Sequence, residues 1–135
     1  MDKQNFDKEK LIKYWIDQAM DDNDTMIAMY DSKRYNWALF LGHLMIEKLL
    51  KAYYVKINSE YPPLIHNLLR LAEKSNLDIN EEKKKELVTI TAFNINARYD
   101  DYNNSFKQLC TLEFTDQWIS NIDNLKIWIK GLIIQ

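Results

Sequence analysis

Between Tyr35 and Ile57 apolar side chains recur at three- and four-residue spacing, at Trp37, Phe40, Leu41, Leu44, Met45, Leu49, Ala52 and Val55, with no proline and one glycine. That period is helical, and a stripe this wide suits a helix packed on more than one side, at the centre of a bundle. Inside it His43, Glu47 and Lys51 follow one another at four-residue steps, so they stack on one face where the carboxylate can reach both neighbours.

The remaining elements read from the same pattern. Residues 1 to 7 are polar and expected to fray, after which Leu11, Tyr14, Trp15, Ala19, Met26, Ala28 and Met29 carry a helix to about Tyr30. Its acidic patch, Asp21, Asp22 and Asp24, reads as a solvated face, except that Asp22 is in phase with Trp15 and Met29 and so is expected to pair with Lys48 or Lys51. Asp31, Ser32 and Lys33 form the short connection of an antiparallel hairpin. The long helix ends near Ser59, because Pro62 and Pro63 lack amide donors and restrict the residue before them. A helix starting at Pro63 would place His66 in its first turn and carry Leu64, Leu68, Leu71 and Ala72 inward. Asp78 and Glu81 read as a capping box for a helix running through Leu87, Ile90 and Asn94 to Arg98. From Arg98 to Phe114 the chain reads as an extended polar loop with a short helix around Ser105 to Leu109. Thr115 then caps a last helix whose Trp118, Ile122, Leu125, Ile129 and Leu132 repeat at heptad-like spacing. The fold class is all-α: an antiparallel bundle of about five helices forming one domain over residues 1–135.

Composition sharpens this picture. Two glycines and two adjacent prolines in 135 residues leave few chain reversals, and four tryptophans with eight tyrosines are more aromatic surface than a small bundle need hide alone. An oligomer, most simply a homodimer, would cover the excess. A formal charge of −2 supplies no global field toward nucleic acid or anionic lipid, so there is no DNA signature and any such contact must be local. Runs such as Lys83-Lys84-Lys85 are balanced by Glu81, Glu82 and Glu86 and read as a solvated face. A single cysteine, Cys110, fits a reducing compartment, and no apolar run marks export or a membrane span, so the cytoplasm is the expected location.

The order of residues also resembles a family. Tyr35-x-x-Ala38-x-Phe40, Glu47-Lys48-x-x-Lys51-Ala52, Pro62-Pro63-x-x-His66-x-Leu68-x-x-Leu71 and Ala97-Arg98-Tyr99-x-Asp101-Tyr102 follow one another, with Trp15, Ala19 and Asp22 in the preceding helix, as in the HEPN domain of prokaryotes. The resemblance covers residues 10 to 102. It implies a helical bundle that usually dimerises, often encoded beside a small nucleotidyltransferase and linked with toxin–antitoxin and defence systems.

The ribonuclease branch of that family carries an arginine followed four to six residues later by a histidine. An imidazole that moves a proton and a guanidinium that stabilises phosphorane charge suit metal-independent RNA cleavage. Arg98 matches the arginine, but Asn103 and Asn104 stand where the histidine belongs, and asparagine does not titrate near neutrality. The leading reading is therefore a non-catalytic binding module. Its nucleotide or RNA ligand would lie near Arg98, with Lys51, His66, Glu47, Tyr99 and Tyr102 as further candidate contacts, and a nucleotidyltransferase is a candidate protein partner. The alternatives are a ribonuclease toxin with a degenerate motif, using Arg98 and His66, and an interaction scaffold without ligand. The bland reading of Arg98 is a pairing with Asp101, Asp22 or Glu47 that pins the loop; that of Glu47 and Lys51 is a structural ion pair; that of the two tyrosines is packing. No metal-ligand spacing and no glycine-rich phosphate loop is present, so neither metal nor cofactor is expected.

Overall fold

The computed structural model describes residues 6–135, which form six α-helices and no strand among the described residues: α1 (Lys8–Asp31), α2 (Tyr35–Asn58), α3 (Leu68–Lys74), α4 (Glu81–Arg98), α5 (Ser105–Leu109) and α6 (Leu112–Ile134). The wide apolar stripe of α2 has its expected consequence. The helix is the hub, touching α1, α6, α4, α3 and α5, and Leu39, Met45, Ile46, Leu49 and Leu50 are wholly buried. Gly42 leaves room for side chains from both α1 and α6: a Cβ there would stand 2.6 Å from Ile122 Cδ1 and 3.4 Å from Met26 Sδ. Ile122, Leu125 and Ile129, the middle of the heptad-like stripe, close the core from α6. None of the described helices is long and apolar enough to cross a membrane.

Several element boundaries differ from the sequence reading, each for a local reason. Residues 1–5 lie outside the described residues, but Asp7 does not fray: it caps α1 by accepting from Lys10 N at 3.1 Å, and Phe6 meets the Tyr61 ring edge-on at 5.2 Å. The third helix begins at Leu68, not Pro63, because the acceptors for its first amides lie there. Asn67 Oδ1 accepts from Arg70 N at 3.0 Å, and Thr91 Oγ1, from α4, accepts from Leu68 N at 3.1 Å. His66 therefore precedes the helix, in the irregular segment between α2 and α3. Asn80, not Asp78, caps α4, accepting from Lys83 N at 2.8 Å. Thr111, not Thr115, caps α6, and Thr115 is buried inside that helix. The short helix expected around Ser105 to Leu109 is α5, which with the five longer helices makes six, and the chain then enters α6 almost directly.

The stretch between α4 and α6 is held by two carboxylates. Asp100 accepts from the amides of Asp101, Phe106 and Lys107 at 2.8, 3.0 and 2.9 Å, and Asp101 from those of Asn103 and Ser105 at 3.0 and 2.9 Å. Desolvation pushes the Asp100 carboxyl up, but the Lys107, Phe106 and Asp101 amides outweigh it, so its pKa lies below the ordinary value. The Ser105 amide and hydroxyl, with the Asn103 amide, likewise hold Asp101 low.

Candidate functional site

The four-residue stack on α2 becomes the floor of a polar cluster. Glu47 Oε2 meets Lys51 Nζ at 3.0 Å, and Glu47 Oε1 meets His66 Nδ1 at 2.9 Å and His43 Nε2 at 3.8 Å. Both predicted neighbours of the carboxylate are thus beside it, and the segment after Pro62-Pro63 adds a third group. His43, Glu47 and Lys51 are all buried, whereas the His66 ring is 67% exposed. His43 was not among the expected ligand contacts, yet it organises the segment: its Nε2 donates to the His66 carbonyl at 2.9 Å. Burial lowers the His43 pKa, against the opposing pull of that carbonyl and of Glu47, so the ring is a neutral Nε2–H donor whose buried Nδ1 has no partner.

Lys51 points into the protein. Its ammonium lies between Glu47 and the Trp15 ring, 5.3 Å from the ring centroid, and is not presented to solvent. Asp22 finds Lys48 at 2.7 Å, the first of its two expected partners, in a partly buried pair joining α1 to α2.

Arg98 departs from its expected pairing. It makes no ion pair with Asp101, Asp22 or Glu47 among the described residues; Asp101 and its neighbour Asp100 accept from backbone amides, and Asp22 and Glu47 pair with lysines. Its Nε donates to the Asn94 carbonyl at 3.2 Å, and the guanidinium is flanked by the Phe40 ring at 5.8 Å and the Tyr99 ring at 5.2 Å. A planar cation held between two rings keeps its terminal N–H groups free for an anion. Phe40 lies one helical turn before His43 on the same face of α2, and the Arg98 charge contributes to lowering the His43 pKa.

The site residues accordingly fall into two layers. Glu47, Lys51 and His43 form a buried layer, His66 meets Glu47 from the exposed side, and the exposed Arg98 lies near Phe40 and Tyr99. Seven residues separate Phe40, under Arg98, from Glu47, under His66, about 10 Å along the helix axis. Tyr102 is almost wholly exposed at the adjacent turn, and Tyr99 lines a shallow cavity of about 320 Å³ with Asp100, Asp101 and Phe106. Among the described residues no group of three or more His, Cys, Asp or Glu side chains is placed to hold a metal ion.

With the geometry in view, comparison with known proteins gives one result: the HEPN domain family model matches residues 12–132. No curated protein and no solved structure matches the chain.

Proposed function

Because the chain belongs to the HEPN domain family, we propose that it is a non-catalytic member that binds a phosphate-bearing ligand, a nucleotide or an RNA end, over the face of α2 between Arg98 and His66. The observation that carries this reading is the state of Arg98: an exposed guanidinium without an ion-pair partner among the described residues, with the Phe40 and Tyr99 rings 5.8 and 5.2 Å away. A structural arginine at a loop base ordinarily satisfies a nearby carboxylate, whereas Asp100 and Asp101 beside Arg98 in the chain accept from backbone amides instead. Tyr99 and Tyr102 supply aromatic faces on which a base can stack. Glu47 and Lys51 support the site from beneath.

The histidine of the family's ribonuclease motif is missing from the loop after Arg98, where Asn103 and Asn104 stand and cannot move a proton near neutrality. The purified protein is accordingly expected to leave RNA intact. The exposed apolar residues Ile95, Leu109, Leu112 and Ile127 support a homodimer, and the family supports a nucleotidyltransferase partner in a toxin–antitoxin or defence setting. The lone cysteine supports a cytoplasmic location: burial pushes the Cys110 thiol up to about 12, leaving it inert.

Calorimetric titration with mono-, di- and triphosphates of nucleosides tests the central reading. Hydrogen bonds to charged groups contribute about 1.5–3 kcal/mol, so Arg98→Ala should weaken binding about ten- to a hundredfold. Arg98→Lys should recover little, since it keeps the charge and loses the fork. Equal affinity in all three proteins removes Arg98 from the site.

A further inference from the structure

α1 and α6 both pack on α2 but make few contacts with each other, so a seam runs between them with α2 as its floor. The two helices are antiparallel along it: Lys126 Nζ donates to Asn23 Oδ1 at 3.2 Å, and one turn further on Lys130 Nζ lies 3.6 Å from Met20 Sδ. Past that level the seam opens into a cleft of about 450 Å³, walled by Ile12 and Ile16 from α1 and by Ile133 and Ile134 from α6. Clefts that take small molecules hold roughly 300–1,000 Å³ and are lined mainly by apolar side chains with a few polar groups. This one shares no residue with the phosphate site.

The basic groups around the cleft are unequally engaged. Lys56, in the last turn of α2, donates to the Leu132 and Gln135 carbonyls at 2.6 and 3.2 Å and so closes the end of α6. Lys8 and Glu9, in the first turn of α1, line the cleft with opposite charges. Lys130 differs from these. It is partly buried, forms no ion pair among the described residues, and rests its ammonium on a thioether, which is a weak acceptor. A partly desolvated cation in this state favours an anion. It stands at one end of the cleft, because Met20 lies one turn from Ile16 on α1 and Lys130 one turn from Ile133 on α6. From Met20 to Ile12 the helix axis runs about 12 Å.

We propose that the cleft between α1 and α6 binds an unbranched aliphatic carboxylate of the size of octanoate or decanoate, its chain along the isoleucines and its carboxylate at Lys130. The isoleucine walls gain nothing from a wholly polar ligand, and an uncharged chain leaves Lys130 without an acceptor. The remaining carboxylate of the cleft, Glu9, lies in the first turn of α1, at the end away from Lys130, where the methyl end of the chain arrives.

Isoleucine-methyl NMR of the full chain, titrated with decanoate below its micelle concentration, tests this. Saturable shifts are expected at the Ile12, Ile16 and Ile133 methyls, with affinity falling about fourfold for each methylene removed on passing to octanoate. Methyl decanoate, which keeps the chain and loses the charge, should bind the wild type about ten- to a hundredfold more weakly, as decanoate should bind Lys130→Met. Ile12→Trp, which fills the cleft from a partly buried position, should abolish the shifts. If either variant fails to fold, the ligand series on the wild type decides by itself. Equal affinity for decanoate and its methyl ester, no dependence on chain length, or no saturable shift in the cleft at millimolar decanoate would overturn the proposal. Cleft resonances that respond to protein dilution alone would overturn it too, since a second copy of the chain then covers this face.

Discussion

Replacing Glu47 alone should be among the most damaging single substitutions available in the chain. Its side chain is 5% exposed and that of its partner Lys51 7% exposed, with 3.0 Å between the charged atoms. Glu47→Leu removes the carboxylate and strands an ammonium whose remaining neighbour is the Trp15 ring, 5.3 Å from its centroid. Breaking a buried ion pair by deleting one partner costs about 3–5 kcal/mol, because the other charge stays desolvated and unpaired. That is a large part of the roughly 5–15 kcal/mol by which folded domains are stable. Lys51→Met leaves Glu47 the contact with His66 and should cost less. The double variant Glu47→Leu/Lys51→Met removes both desolvated charges and fills the space with apolar atoms, and replacement of buried pairs in this way ranges from neutral to about 1–4 kcal/mol stabilising. Urea unfolding at neutral pH of the wild type, both single variants and the double variant closes the cycle. If Glu47→Leu lies within about 1 kcal/mol of the wild type, the ammonium has reached water and the description of a buried layer is wrong. A double variant less stable than either single one would refute the account of the pair.

Three further outcomes are expected. Light scattering at tens of micromolar, a concentration chosen as an order of magnitude within the usual affinity range, should give about twice 16.2 kDa; a persistent monomer contradicts the homodimer. Acid should release α5 early: Asp100 and Asp101 have pKa values below the ordinary 3.8, so their stabilisation is full above that value and is lost as the pH falls through the lowered folded values. Hydrogen exchange at the Phe106 and Lys107 amides should accelerate there, and Asp100→Asn should weaken the protection already at neutral pH; unchanged exchange in that variant would show that the carboxylate does not hold the helix. His43 carries a lowered pKa, so its contribution to stability is full above the unfolded-state value of 6.5 and falls as the pH drops from there through the folded value. His43→Asn should flatten the pH dependence of unfolding in that window, with His66, Glu47 and Arg98 unchanged around it; an unaltered slope would mean that His43 is not buried neutral.

The architecture was legible where one pattern dominates. The stripe from Trp37 to Val55 identified the central helix, and the phase of Asp22 identified a partner in Lys48. The four-residue spacing of His43, Glu47 and Lys51 already contained the buried part of the cluster, since spacing on one helix fixes neighbours before any tertiary contact forms. His66 was misplaced because the start of α3 depends on Thr91, from a helix 23 residues further along, which no local pattern displays. The bland reading of Arg98, a pairing with Asp101, Asp22 or Glu47, is not what the fold shows: the backbone amides around α5 take Asp100 and Asp101. Thr115 was expected to cap the last helix by residue type, but it is buried inside α6 and Thr111, four residues earlier, takes that role.

The reading of the site depends most on where a phosphate-bearing ligand sits, and an NMR titration of the wild type with adenosine 5′-monophosphate locates it directly. The predicted result is a set of saturable shifts confined to Arg98, Tyr99, Tyr102, His66 and the α2 face from Phe40 to Glu47, all absent in Arg98→Ala. Shifts that gather elsewhere on the molecule, or the same shifts persisting in Arg98→Ala, would contradict it.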